Sequence, residues 1–436
     1  MDALATDFTH IGSILSGEAS GRNVKVRGWV HRSRTSGGLC FIVIRDATGV
    51  LQCAVKKDIA GEAAFSAASG AFIDTSIMIE GTVKEDKRAP GGFELSASNV
   101  QIISQGEPFP ISKDQSVEFL LDMRHLWLRS QKLTHIMQSR DHITRYLREF
   151  FFNEGFFEVA PPILTKSACE GGSTLFELNY FGSPANLSQS GQLYSEAVIA
   201  SLEKVFILAP SFRAEPSRTI RHLAEYWHLE PEMAFYNQKM NMELQEQMIE
   251  YVCQKMATGH ADLLRAVGRD PADLLLVKAP FERLPYDKAI PELQSLGFKI
   301  EWGQDVGADE EYALTKEKKK PVFLHNHPKG FKAFYMREDP NKPGTVLSAN
   351  MLAPQGHGEI IGGSERIWEY DELAARLREQ HMNEADYKWY VELRKYGSVP
   401  HAGFGLGIER LVKWMLNLEH IRDAVPFPRT INRIYP

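Results

Sequence analysis

Hydrophobic and polar positions alternate in two different rhythms along the chain. From residue 22 to about 105 the runs VKVRGWV, CFIVIRD, VLQCAV and SIMIEGTV are short and rich in β-branched residues, and Gly28, Gly37, Gly38, Gly49, Gly81, Gly91 and Gly92 punctuate them. Such runs predict strands separated by turns. Five strands in roughly 80 residues suit a small closed barrel such as an OB-fold, with an SH3-like barrel or half a sandwich as alternatives.

The rhythm then changes. GEPFPISKDQSVEFLLD, with Pro108 and Pro110, reads as a linker or hinge over 106–125. From about 129 to 154, Leu133, Ile136, Met137, Ile143, Leu147, Phe150 and Phe151 recur at helical spacing, and Gly155 marks the stop. A short strand, FFEVA, runs into Pro161 and Pro162. Further helices are predicted near 241–257, on the spacing of Leu244, Met248, Val252 and Met256, and near 405–418. Between them lie the β-rich runs KVFILAPSF, YWHLEPEMAF, PVFLHN, KAFYM and GEIIGG. Helices among many strands, without regular βαβ alternation, predict an α+β domain on an antiparallel sheet flanked by helices. The expected organisation is a barrel over 1–105, a linker over 106–125 and this second domain over 126–436.

Composition narrows the class. The 436 residues exceed one ordinary domain, and 43% hydrophobic with 24% charged residues argues against disorder, collagen and coiled coil. No apolar run is long enough for a transmembrane helix, and the N-terminus lacks the pattern of a secretory signal. Four scattered cysteines without a CxxC pair fit a reducing, cytoplasmic setting. The formal charge of −6 means that a polyanionic partner must be held by a local patch. The basic run Lys316–Lys320, broken by Glu317, is expected to be a solvated loop or helix end.

Three segments carry candidate chemistry. In FRAEPSRTIRHLAEYWHLEPE, Arg213 leads a strand while Arg221 and His222 start the return strand, a cationic clamp suited to a multiply charged phosphate. Tyr226 offers a face for a base. A plain hairpin with surface arginines is the alternative. In GFGLGIERL, Gly403, Gly405 and Gly407 let backbone approach a ligand, or simply form a tight strand-to-helix turn, and Arg410 follows at a helix start. In GEIIGGSER, Glu359 is a candidate Mg²⁺ ligand and Arg366 a candidate substrate clamp.

In this order, these segments resemble the motifs of class II aminoacyl-tRNA synthetases. FRAE with RHLAE is similar to the second motif, GFGLGIER to the third, and the helix ending in GFFEVAPPIL, with Pro162, to the first. The barrel resembles the anticodon-binding OB domain of the aspartate/asparagine/lysine subgroup, so the resemblance covers nearly the whole chain. SQSGQLYSEA, HLAEYWHLEPE, EIIGGSER, YGSVPHAGFGLG and IRDAVPFPRT are similar to the asparagine branch.

The resemblance implies ATP-dependent attachment of asparagine to its tRNA through an aminoacyl-adenylate. It implies ATP and Mg²⁺ as cofactors, tRNA and L-asparagine as partners, and a homodimer through the first motif and its exposed apolar stripe, with no membrane partner. Arg213 then binds the α-phosphate, and Arg221, His222 and Glu215 serve the nucleotide. Adenine lies between Tyr226 and Arg410, and Glu359 holds the metal. Glu170, in the lid-like loop CEGGST with Gly171 and Gly172, pairs with the substrate ammonium, and Gln189 and Gln192 of QSGQLYS join the amino-acid site.

Asparagine is favoured over aspartate because Ser195 stands where the aspartate branch carries a lysine, and an unpaired buried carboxylate is costly. Glu225 then accepts from the amide and Arg366 donates to its carbonyl. The rival expectations are an aspartate enzyme, including a non-discriminating one, and a paralogue that makes an adenylate without charging tRNA. The second is motivated by ANMLAPQGHGEII, in which Ala349 and Asn350 stand where aspartates are usual and Asn350 takes the place of a metal carboxylate. Ala209 and Pro216 also depart from the pattern, and His325 and His327 lack an evident third metal ligand. In the barrel, Arg22, Lys25, Arg27, Arg32 and Arg34 form a basic stretch with no acid. The resemblance assigns the central anticodon base to Arg34, Phe41 and Gln52.

Overall fold

The computed structural model describes residues 2–166, 169, 174–216 and 219–436. It divides into two compact units, Met1–Leu120 and Leu121–Pro436, so the dividing point falls inside the stretch read as a linker, where a short helix, Val117–Asp122, has formed.

The first unit is a closed five-stranded barrel. Strands β1 (Asn23–Ser36), β2 (Leu39–Asp46), β3 (Gly49–Lys56), β4 (Ser76–Glu85) and β5 (Phe93–Ser104) close in the order β1-β2-β3-β5-β4. Period-two patterning builds it: Cys40, Ile42 and Ile44 of β2 point inward and are fully buried with Val26, Leu51, Cys53 and Leu95. The helix Lys57–Ser69, which the strand pattern did not predict, packs Ala64 and Ala68 against that core.

The second unit carries strands β6 (Phe157–Glu158), β7 (Leu164–Thr165), β8 (Glu177–Tyr180), β9 (Ser183–Leu187), β10 (Lys204–Phe212), β11 (Glu225–Ala234), β12 (Glu282–Pro285), β13 (Val322–His325), β14 (Ser348–Ala353), β15 (Gly358–Glu365) and β16 (His401–Gly407). Among the described residues, eight form one sheet in the order β12-β13-β14-β15-β16-β11-β10-β6, antiparallel except for β12–β13 and β10–β6. Strands β7, β9 and β8 form a separate small sheet.

Helices cover one face of the large sheet. The helix Gln131–Asn153 is capped by Ser130, whose Oγ accepts from the Leu133 N–H, and the chain leaves it through Gly155 at φ 77°. Its stripe of Leu133, Ile136, Ile143, Leu147, Phe150 and Phe151 is buried in the unit's own core, so it is not an exposed face. The helix Gln238–Gly259, capped by Asn237, adds Leu244, Met248, Val252 and Met256 to the same core. Leu229 and Met233 of β11, Phe404 and Leu406 of β16, and Met351 of β14 meet these helices from the sheet.

Three local expectations change. The glycines of GFGLG lie in β16, and the helix after them is shorter than expected, Ile408–Met415. KAFYM is irregular rather than a strand, because Phe334 and Tyr335 both bury into a side cluster with Tyr387 and Tyr390. Arg213 follows β10 instead of leading it, and Arg221 and His222 lie in the turn before β11.

Candidate active site

The face of the sheet opposite the main core carries a cavity of about 260 Å³. Alternation along β11 sends Tyr226, His228, Glu230 and Glu232 to its wall, while Leu229 and Met233 point into the core. The neighbouring strand makes room for them. A Cβ on Gly403 would overlap Glu232 Oε2, and one on Gly405 would overlap the His228 ring. The glycines therefore admit side chains of the adjacent strand into the site, beyond the backbone approach expected of them.

One end of the cavity is cationic. Arg213, Arg221, His222 and Arg410 line it together with Glu215, Tyr226 and Glu359. The Arg213 backbone N–H donates to Ala224 O at 2.9 Å, closing the hairpin. Its guanidinium carbon stands 5.7 Å from the Tyr226 ring centre, and Nη1 lies 3.8 Å from Glu215 Oε1. Burial, followed by the charge of Arg410, holds His222 below the ordinary imidazole value. His222 Nδ1 is bonded to Thr219 Oγ1, and Nε2 lies 3.7 Å from Glu215. Arg221 Nη1 donates to Glu311 Oε2 at 2.6 Å, and Glu311 also accepts from the Glu359 backbone N–H at 3.1 Å. Burial raises the Glu311 carboxyl, and Glu359 pushes the same way.

Arg410 is set by the helix that Gly407 caps, and its Nη1 lies 3.4 Å from Glu359 Oε1. Glu359 owes its direction to an irregularity between β14 and β15. Asn350 pairs with Gly362 but Leu352 pairs with Glu359, so one residue is inserted, Ile360 and Ile361 both face the core, and Glu359 joins Asn350 on the cavity side. Asn350 Nδ2 donates to Glu359 Oε2 at 2.5 Å.

The other end is enclosed and polar. Arg366 donates through Nε and Nη2 to the two oxygens of Glu232, each at 3.0 Å, and through Nη1 to Ser364 Oγ at 2.8 Å. Glu230 accepts from the Gly191 N–H at 2.9 Å and from Ser190 Oγ, and His228 Nδ1 lies 3.2 Å away. Gln192 completes this wall and donates to Glu196, which is buried and also bonded to Arg394, Tyr390 and His401. Burial acts to raise the Glu196 carboxyl, but the Arg394 guanidinium and the His401 contact outweigh it and hold it below the usual carboxylate range. Glu196, Glu232 and His401 converge like metal ligands, yet arginines already balance both carboxylates.

The structure thus brings together Arg213, Glu215, Arg221, His222, Tyr226, Gln192, Asn350, Glu359, Arg366 and Arg410. It does not bring Glu225 there: that side chain is exposed on the opposite phase of β11, and Glu230, on the phase of Tyr226, occupies the cavity instead. Ser195 is buried in the helix Gln192–Leu202, its Oγ without a partner among the described residues and outside the cavity lining. Gln189 is buried outside the cavity lining, donating to Thr174 Oγ1 at 2.7 Å. Glu170, Gly171 and Gly172 lie outside the described residues. His325 and His327 are held by Asn326 and Ser348. Glu311, Glu230, Glu232 and Lys332 line or brace the site without having been singled out. The spacing of Tyr226 contained the signal for Glu230 and Glu232, whereas no local pattern marks Glu311.

In the barrel, Arg34 pairs with Phe41, Arg32 with Val43, and Val43 with Gln52, so these residues share one face. Arg34 is exposed and Phe41 half-buried, and Gln52 donates to Glu94 at 2.7 Å. Lys25 instead pairs with Asp7, and Arg27 lies over Phe8.

Residues 116–431 match the family described as tRNA synthetases class II (D, K and N), and residues 24–103 match the OB-fold nucleic acid binding domain. The chain belongs to the class II tRNA synthetases. This synthetase is 48% identical to an asparagine–tRNA ligase of Thermoplasma acidophilum over 95% of this chain and 97% of the relative. It is 51% identical to one of Thermococcus gammatolerans over 96% and 97%. The crystal structure of asparaginyl-tRNA synthetase from Pyrococcus horikoshii complexed with asparaginyl-adenylate superimposes on the synthetase with a TM-score of 0.96 at 46% identity, covering 99% and 100% of the two chains. Among the described residues, no helix is long and apolar enough to cross a membrane.

Proposed function

We propose that this synthetase is an asparagine–tRNA ligase, acting through an asparaginyl-adenylate with ATP as co-substrate. The observation that carries the reading is one cavity with a cationic end and an enclosed polar end, in a chain similar over 95–96% of its length to asparagine–tRNA ligases.

The division of labour follows from charge. Arg213 neutralises the α-phosphate as the asparagine carboxylate attacks it and pyrophosphate leaves. Arg221 and His222 hold the outer phosphates, and adenine stacks between Tyr226 and Arg410. At the enclosed end Glu230 accepts from the amide NH₂ and Arg366 donates to the amide carbonyl. Arg366 is already neutralised by Glu232, so it orients a neutral amide without demanding an anion. Glu359 Oε1 and Asn350 Oδ1, hard oxygen donors beside the phosphate end, fit Mg²⁺. Bound there, Mg²⁺ supplies charge neutralisation to the phosphates.

The barrel face of Arg32, Arg34, Phe41 and Gln52 is the anticodon surface in this reading. The second unit also exposes Phe157, Ile163, Leu164 and Phe181, apolar surface of the kind a second copy covers in a homodimer. A cytoplasmic location fits this activity and the four free, buried cysteines. Charging of unfractionated tRNA with labelled asparagine tests the whole reading. The expected result is asparaginyl-tRNA that requires ATP, and adenylate formation without any charged tRNA would overturn it.

A further inference from the structure

Gln192 and Glu196 lie one turn apart on the same face of the helix Gln192–Leu202, and both are buried. Gln192 lines the cavity and Glu196 stands behind it, outside the lining. The two oxygens of Glu196 are used differently. Oε2 accepts from the Tyr390 hydroxyl at 2.7 Å, from Arg394 Nη2 and from His401 Nε2 at 3.0 Å. Oε1 serves Gln192, whose Nε2 donates to it at 3.0 Å. The donors to Oε2 are anchored in turn: Arg394 Nε donates to Ile367 O at 3.0 Å, and His401 Nδ1 lies 2.7 Å from Val399 O. The carboxylate is therefore pinned from segments outside its own helix, and Arg394 and His401 keep it ionised in spite of its burial.

An ionised carboxylate only accepts hydrogen bonds. With the Gln192 amide turned round, its Oε1 would meet Glu196 Oε1 with no proton between them. The carboxylate thus decides which end of the amide faces it, and the end left for the cavity is the carbonyl oxygen. Asparagine brings N–H donors in both its ammonium and its amide, and an NH₂ edge from Gln192 would oppose them. We propose that Glu196 is a positioning residue of the amino-acid site, fixing the Gln192 amide so that Gln192 Oε1 accepts an N–H of bound asparagine. This rests on the reading of the cavity as an asparagine site. Glu196→Gln keeps the shape but offers a donor as well as an acceptor, so it no longer dictates how Gln192 is turned.

The test is pyrophosphate exchange by the full chain, titrated separately with asparagine and with ATP, for the natural protein, Glu196→Gln and Tyr390→Phe. Glu196→Gln is expected to raise the KM for asparagine about tenfold, the worth of one hydrogen bond to a charged group. The KM for ATP and the rate at saturating asparagine should stay near those of the natural protein. Tyr390→Phe removes a donor to the other oxygen of the same carboxylate and leaves the Gln192 bond in place. It should lower the denaturation midpoint without raising the KM for asparagine. An unchanged asparagine KM in Glu196→Gln, a parallel rise for ATP, or an equal rise in Tyr390→Phe would overturn the proposal. If Glu196→Gln does not fold, neutron diffraction from the deuterated natural protein decides. Deuterons of the Gln192 amide facing Glu196 are expected, and deuterons facing the cavity would overturn the proposal. Absence of asparagine-dependent exchange in the natural protein would sink the asparagine-site reading instead.

Discussion

Arg366 and Glu232 meet edge to edge inside the protein, two parallel hydrogen bonds of 3.0 Å joining the guanidinium to the carboxylate. Such paired geometry fixes the direction of the remaining donor edge as well as the charge. Glu230, two residues earlier on the same strand face, adds a second carboxylate beside an arginine that Glu232 already balances. That balance suits an amide side chain, which both donates and accepts, and disfavours a carboxylate, which only accepts.

The room for this pair comes from a glycine. Gly403→Ala would press a methyl against Glu232 Oε2 and the Pro231 carbonyl. A loss of about 1–3 kcal/mol in stability is expected, the usual cost of overfilling a packed site. Denaturant unfolding measures it, and the KM for asparagine should rise as Arg366 shifts with its partner. An alanine variant as stable as the natural protein would show that Glu232 is not confined there.

Arg213→Ala should slow adenylate formation by about 2.7–4 kcal/mol of barrier, the range for a preorganised charge donor. Single-turnover adenylate formation at saturating ATP reads this directly. A rate unchanged at saturation would mean that Arg213 has no transition-state role.

His222 gives a pH dependence with a defined sign. Burial and the charge of Arg410 depress its imidazole below the ordinary histidine value, so it is neutral in the free protein near pH 7. Phosphates arriving beside it favour the charged form and raise the value. Nucleotide binding should therefore take up a proton in the window between the depressed free value and the higher bound one, and affinity should rise as pH falls through that window. Below the free value His222 is charged in both states and the effect ends. Calorimetry in two buffers of different ionisation enthalpy measures the uptake, which should vanish in His222→Asn.

Phe41→Ala should weaken tRNA binding by about 1–3 kcal/mol, as expected for loss of one stacked base. Adenylate formation should be untouched, since Phe41 belongs to the first unit and the cavity to the second. A parallel loss in both steps would mean that the barrel does more than hold tRNA.

How much of this was legible beforehand depended on the range of the interactions. The barrel strands and the two long helices declare themselves through local alternation, so Ile42 and Leu147 could be placed inward from sequence. The phosphate-end residues lie in compact segments with distinctive composition. At the amide end strand alternation puts Glu230 on the cavity side with Tyr226 and leaves Glu225 exposed on the other, because successive strand residues face opposite ways. The resemblance puts Ser195 in the cavity because the aspartate branch carries a lysine there, but the helix Gln192–Leu202 buries the side chain outside the cavity lining. The register irregularity that aims Glu359, and the 90-residue separation between Arg221 and Glu311, are tertiary facts with no local signature.

The central claim is that the enclosed end of the cavity reads an amide. Amino-acid-dependent pyrophosphate exchange, titrated with asparagine and with aspartate under the same conditions, tests it most directly. The account predicts efficient exchange with asparagine and a kcat/KM for aspartate lower by about 10⁴-fold, the discrimination a buried hydrogen-bonding site achieves. Comparable exchange with aspartate would contradict it.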